Sequence, residues 1–252
     1  MERPDRITLR AFQAPREPEL CREFLREHRK VLEDYGISNV TTNNDEWTRD
    51  PGTYVIVALH ETLGMVGGIR LEMARPGRGL PMELALRKLD PSIHDHLKVL
   101  EPYGNGEVCG LWNANRYAMH GVPVLLSQAV TALSVMVGAQ RMVCLVATYT
   151  QRHPSRNGFV VLDAVGEKGT FIYPIPSITA VAMVNPDTLM LEHASQDQRH
   201  LVYSLRLRPD QTRLERPGKH NLEVTYRMKF HGSLIDLEDY RPVEEQYQLF
   251  SA

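Results

Sequence analysis

Two strand-like segments, residues 108–112 and 142–148, flank the stretch 124–137, whose apolar residues are interrupted mainly by Ser127, Gln128, Thr131 and Ser134. A helix with so little polar surface must be covered on nearly every side, and short apolar runs bounded by turn residues read as buried strands. Strand, helix and strand in that order define an α/β layer. Arg116 is the one charge in the mostly apolar or small neighbourhood between the first strand and the helix, so its guanidinium requires organised acceptors.

The chain of 252 residues is long enough for a sizeable core, as one large domain or as a domain with an extension. Twenty-nine basic against 31 acidic residues leave a formal charge of -2, so no global field favours nucleic acid or another polyanion. Cys21, Cys109 and Cys144 form neither a CxxC pair nor a His cluster at zinc spacing, and buried thiols in a reducing compartment are expected, with no metal. No apolar run has the length of a membrane span, and the opening MERPDRITLR is charged and lacks an apolar signal segment. The expectation is a cytoplasmic protein.

Residues 7–12 suit a short strand, and 19–32 an amphipathic helix with Leu20, Phe24, Val31 and Leu32 inward and a charged face, Glu27 included, turned to water. Gly36 can close that helix. The polar stretch 38–50 reads as a surface loop containing Trp47, before antiparallel strands at 54–59 and 63–71. Short helices are expected within 82–100, and further strands at 170–173 and 179–184. At 201–208, Leu201, Tyr203, Leu205 and Leu207 alternate with Val202, Ser204, Arg206 and Arg208, which predicts a strand with one wet side. Another strand is expected at 222–230, followed by an acidic, Tyr-containing tail.

This order, with Gly67-Gly68-Ile69-Arg70-Leu71, Asn115-Arg116-Tyr117 after a strand and Asn157-Gly158-Phe159 after the next, resembles the GNAT superfamily of N-acetyltransferases. More narrowly, it looks like the acyl-homoserine-lactone synthases and the long-chain N-acyl amino acid synthases, over about residues 20–190. The resemblance implies an α/β, acyl-CoA N-acyltransferase-like (GNAT) fold, a mixed central sheet flanked by helices in residues 1–200. Residues 201–252 would be a C-terminal extension whose strands pack on that domain, cover an acyl tunnel or form a homodimer contact.

It further implies a donor thioester, of coenzyme A or of an acyl-carrier protein, held between the splayed strands 108–112 and 142–148, and no tightly bound cofactor. The donor-contacting positions so implied are Leu111, Trp112, Gly121, Val122, Pro123 and Cys144. Gly121 lets the backbone turn tightly and Pro123 fits a first helical turn without wasting an amide, in a donor site or in an ordinary loop-to-helix start alike. Gly67 and Gly68 suit close ligand approach, a bulge or a tight helix crossing, and the resemblance favours the ligand. The stretch from Arg116 to Pro123 lacks the closely spaced glycines of the usual acetyl-CoA loop, a departure shared with the homoserine-lactone group.

Arg116, Glu107 and Tyr149 are the implied catalytic residues. Arg116 would organise the site with acidic partners. Glu107 would hold a proton-accepting water, unless it is simply a solvated strand end. Tyr149 would protonate the departing thiolate, unless it is an ordinary surface or core tyrosine. Asp45, Glu46, Trp47, Asp50, Arg70 and Asn113 are the implied acceptor-binding residues, with Arg70 pairing one of the loop carboxylates. Asn113 stands where the family has a glutamate, and an amide positions a ligand without acting as a base. The implied reaction is direct attack of a small amine or amino-acid derivative on the thioester, and Arg152 and Arg156 are the candidate contacts for a carrier protein. The alternative is a noncatalytic acyl-thioester or metabolite-binding protein of the same fold.

Overall fold

The computed structural model describes residues 4–37 and 44–230. The tail expected beyond residue 230 and positions 38–43 of the polar loop lie outside these. In chain order the elements are β1 (Asp5–Gln13), α1 (Pro18–Asp34), β2 (Thr53–His60), β3 (Gly64–Met73), α2 (Pro81–Leu86), α3 (Ile93–Lys98), β4 (Asn105–Asn113) and α4 (Val122–Met136). Then come β5 (Arg141–Ala147), α5 (Arg152–Arg156), β6 (Val160–Val161), β7 (Thr170–Ile172), β8 (Thr179–Asn185), α6 (Gln196–Leu207), β9 (Asp210–Glu215) and β10 (Leu222–Arg227). One mixed sheet runs β6-β8-β5-β4-β3-β2-β1-β10-β9, with β7 also on β8. The fold is thus α/β, a central mixed sheet between helices with a C-terminal extension.

Alternation along β3, broken once by a bulge, builds two unlike faces. Ile69 and Leu71 join the core beneath α4, while Arg70 and Glu72 alternate onto the α1 face. The β2–β3 register slips between Ala58 and Leu59, which turns Met65 onto that second face too, in a cluster with Phe24 of α1, Trp47 and Trp112. Helix α4 is buried along most of its length because the sheet lies on one side and α6 on the other, with Val202 and Leu205 of α6 in the same core.

That packing overturns the strand expected at 201–208. Ser195 accepts a hydrogen bond from the Gln198 amide at 3.3 Å and starts α6, and Val202, Leu205 and Arg206 turn inward at helical spacing. Arg206 bonds the carbonyls of Thr131, Thr188 and Leu189, tying α6 to α4 and to the loop after β8. The helix runs through positions 200 and 201. The following hairpin β9–β10 extends the sheet, with β10 parallel to β1.

Candidate functional site

Strands β4 and β5 pair in parallel only at Asn105 with Arg141, Gly106 with Met142 and Glu107 with Val143. Beyond that rung β5 stays on β8 through Ala147, and β4 stays on β3 through Asn113, so the two part. A bulge assists the parting: the β3–β4 register slips between Gly68 and Arg70, and Gly110 takes φ +60°, a conformation glycine adopts without strain. Past the last rung, Leu145, Val146 and Ala147 on β5 and Val108 and Leu111 on β4 are half-buried.

The far end of this opening is the start of α4. Gly121 occupies the N-cap at φ +77° without a side-chain cap, and Pro123 sits in the first turn. The tip of the β9–β10 hairpin packs there: a Cβ on Gly121 would lie 2.6 Å from the Pro217 carbonyl carbon, and one on Gly218 would lie 2.7 Å from the Met119 oxygen. Stacked rings of Tyr117, His120 and His220 hold the tip, at centroid distances of 4.1 and 5.2 Å.

On the α1 face of the sheet, charges are buried. Arg70 is fully enclosed, its guanidinium 4.3 Å from the Trp47 ring and its Nη2 3.1 Å from Glu72 Oε1. The Cys109 thiol donates to the same Glu72 oxygen at 3.4 Å. Asp50 pairs with Arg75 and Arg78, and Arg78 also reaches Glu72 Oε2 at 3.6 Å. Glu107 accepts the Met82 amide at 2.6 Å. Burial pushes the Glu107 carboxyl well above the usual carboxylate range, and the neighbouring Glu72 charge adds to that, against the Met82 hydrogen bond and Arg70. Glu107 is therefore an enclosed group at the root of the opening and not a solvated strand end.

Arg116 lies in the turn after β4, where Nη1 donates to Glu27 Oε2 at 2.8 Å and Nη2 to the Met65 carbonyl at 2.6 Å. Glu27 thus leaves the wet face of α1 assigned to it and is 5 % exposed. Burial raises its pKa, but hydrogen bonds and charge from Lys30 and Arg116 outweigh that and hold it at about 2. A groove of about 310 Å³ beside this pair is lined by Lys30, Glu33, Asp34, Ala114 and Asn115.

The residues singled out by sequence fall into three groups. Trp47, Asp50, Arg70 and Glu107 come together on the α1 face, while Leu111, Gly121, Val122 and Pro123 border the opening or begin α4. Asp45 and Glu46 point outward, Asp45 pairing with Arg49 at 3.1 Å. Arg70 pairs with Glu72 and not with a loop carboxylate, because Asp50 is held by Arg75 and Arg78. Trp112 turns away from the opening to pack edge-on against Phe24, Cys144 is sealed in the core, and Asn113 bonds the Tyr117 carbonyl. Tyr149, beyond the end of β5, is 62 % exposed, and Arg152 and Arg156 are exposed on α5.

Side-chain packing, not a ligand, accounts for the paired glycines. A Cβ at Gly67 would lie 2.8 Å from Val122 of α4, and one at Gly68 would meet the Phe24 ring and lie 2.9 Å from Trp112 Nε1. Glu72, Cys109 and His28 complete the α1 face without having been picked out by motif. The period-two spacing of Arg70 with Glu72 and of Glu107 with Cys109 is the signal that would have found two of these three.

No family model and no curated protein matches the chain. Among solved structures it is similar to FeeM, an N-acyl amino acid synthase from uncultured soil microbes, at 16 % identity and TM-score 0.54, covering 71 % of this chain and 89 % of that one. It is also similar to BjaI, a CoA-dependent acyl-homoserine lactone synthase, at 13 % identity and TM-score 0.51, covering 94 % of this chain and 99 % of that one. The chain therefore shares their fold, a GNAT-like α/β architecture with a mixed central sheet flanked by helices. Among the described residues no helix is long and apolar enough to cross a membrane, and no group of His, Cys, Asp or Glu could hold a metal ion.

Proposed function

We propose that this protein is an N-acyltransferase that moves an acyl group from a thioester, of coenzyme A or of an acyl-carrier protein, to a small amine or amino-acid derivative. The observation that carries this reading is the parting of β4 from β5 after Glu107, which exposes β4 backbone groups beside a buried set of opposed charges. A thioester arm laid along β4 brings its carbonyl toward Glu107. Backbone N–H groups freed by the parting stabilise the oxyanion as the amine attacks. The acceptor enters from the α1 face, where carboxylates and guanidiniums suit a zwitterion such as an amino acid. Arg116 acts at one remove, fixing α1 against β3.

The Pro217–Gly218 tip occupies the space beside Gly121 that the phosphates of a coenzyme A donor would take at a helix start, so both donor types belong in the test. Incubation with acyl-CoA and acyl-carrier-protein thioesters of graded chain length and a panel of amino acids, read by thiol release and product mass, decides the reading. Thiol release coupled to an N-acyl product is expected. Stable thioester binding with no product would instead support the noncatalytic binding protein, to which the amide Asn113, in place of a carboxylate, lends weight.

A further inference from the structure

Glu107 is the last residue of β4 paired with β5, and on its other side it stands directly opposite Glu72 of β3. Both side chains are enclosed, at 2 % and 6 % exposure. Their partners differ sharply. Glu72 has Arg70 at 3.1 Å, Arg78 at 3.6 Å and the Cys109 thiol, whereas among the described residues no lysine or arginine forms an ion pair with Glu107. Two residues before it on the same strand, Asn105 is 1 % exposed, and neither atom of its amide has a hydrogen-bond partner among the described residues.

We propose that Glu107 is the general acid toward the leaving sulfur, and that Glu72, opposite it on β3, is the positioning residue that reserves this role to it. The inference rests on the acyl-transfer reading above. Of two adjacent buried carboxyls, the one without guanidinium partners is the one that keeps its proton. The groups facing Glu107 are Glu72 and Arg70 from β3, the Cys109 thiol from β4 and the Met82 amide from α2, with Arg78 acting through Glu72, while the β5 residue paired with it is the apolar Val143 and the Cys144 thiol lies on the opposite face of the sheet. Burial of Glu107, the largest influence, works in the same direction as Glu72.

In the reaction, the neutral amine forms the C–N bond, having left its ammonium proton to water before entry. The C–S bond breaks with its electrons on sulfur, sulfur takes the Glu107 proton, and the Glu107 carboxylate takes the proton of the new amide nitrogen. Amine and thioester become amide and thiol, and Glu107 ends protonated as it began. Tyr149, largely exposed beyond β5, is not needed for this step.

Two measurements test this. Infrared difference spectra of the substrate-free protein should show a buried carboxylic-acid C=O band at neutral pH that Glu107→Gln removes. Its deprotonation midpoint should fall in Glu72→Gln. A band that survives Glu107→Gln, or a midpoint that Glu72→Gln leaves unmoved, overturns the coupling. Second, Glu107→Gln should slow transfer from alkyl thioesters by roughly 100-fold and from thiophenyl thioesters, whose thiolate leaves unprotonated, by less than about 10-fold. Equal losses overturn the general-acid role and leave a structural one. Trp47 and Trp112 emission checks that each variant is folded, and Glu107→Asp, which keeps the acid, should retain the sensitivity to the leaving group if glutamine unfolds the site. A wild-type protein that transfers no acyl group sinks the transfer reading and the acid role with it, while the infrared measurement still decides the coupling of Glu72 to Glu107.

Discussion

Arg116 joins Glu27 across 2.8 Å, linking the turn after β4 to the middle of α1, and the same guanidinium holds the Met65 carbonyl at the start of β3. One planar fork thus fixes two elements that wall the α1 face. Replacing Arg116 by Ala leaves a nearly enclosed carboxylate with fewer partners and a carbonyl without its donor. The expected cost is about 1–3 kcal/mol in urea unfolding, at the lower end because the Arg116 side chain is 40 % exposed. Arg116→Lys should restore less than half, since an ammonium cannot serve the carboxylate and the backbone in one plane. An Arg116→Ala protein as stable as wild type would remove the clamp from the account.

Adjacent on α1, Glu27 and His28 should give the acid limb of stability two components. The Glu27 pKa falls from 4.5 to about 2 on folding, so its contribution is complete above pH 4.5 and is lost as the pH drops toward 2. His28 falls from 6.5 to about 3, through burial and then the Arg70 charge, because its imidazole is enclosed and neutral. The unfolded chain then binds a proton that the folded one does not, and stability declines from pH 6.5 downward. In His28→Phe, the slope of unfolding free energy against pH between 6.5 and 5 should flatten while the fall below 4.5 remains. An unchanged slope would contradict the neutral buried imidazole.

Much of this fold was legible from local pattern. The buried helix between two strands, the helix α1 and the β2–β3 pair all form where apolar runs and helical spacing placed them. The segment 201–208 misled because LVYSLRLR satisfies period two as well as a helix whose inner face needs only Val202 and Leu205, and the decision belongs to α4, distant in sequence. In the site, Trp47, Arg70 and Glu107 were reached by way of the family resemblance and not from periodicity or burial. Their partners were not: Glu72 acquires its meaning from a strand register with Glu107, and Glu27 from a contact with a residue 89 positions away. The same holds for Gly68, whose vacant side-chain position is filled from α1.

Gly68→Ala tests that filling. The added Cβ would collide with the Phe24 ring and stand 2.9 Å from Trp112 Nε1, and neither ring can retreat without displacing the other or Trp47. Overpacking of this kind costs about 1–3 kcal/mol. The chain has only two tryptophans, both in this cluster, so a shift of intrinsic emission should accompany the lower unfolding midpoint. Destabilisation without an emission change would place the strain elsewhere.

The buried pair of Arg70 and Glu72 lends itself to a double-mutant cycle. Arg70→Met removes the guanidinium that lies over Trp47 and leaves Glu72 enclosed with only the more distant Arg78 and the Cys109 thiol. Breaking one side of such a pair costs about 3–5 kcal/mol, because the remaining charge has lost its compensation. Removing both, in Arg70→Met with Glu72→Leu, abolishes the charge along with its need for a partner and should recover most of that loss. The cycle also separates stability from chemistry. The double variant lacks the carboxylate opposite Glu107 but also the Arg70 charge that opposes it, so its fold should be restored while its Glu107 deprotonation midpoint moves less than in Glu72→Gln. A double variant destabilised by the sum of the two single losses would show that Arg70 and Glu72 are not coupled.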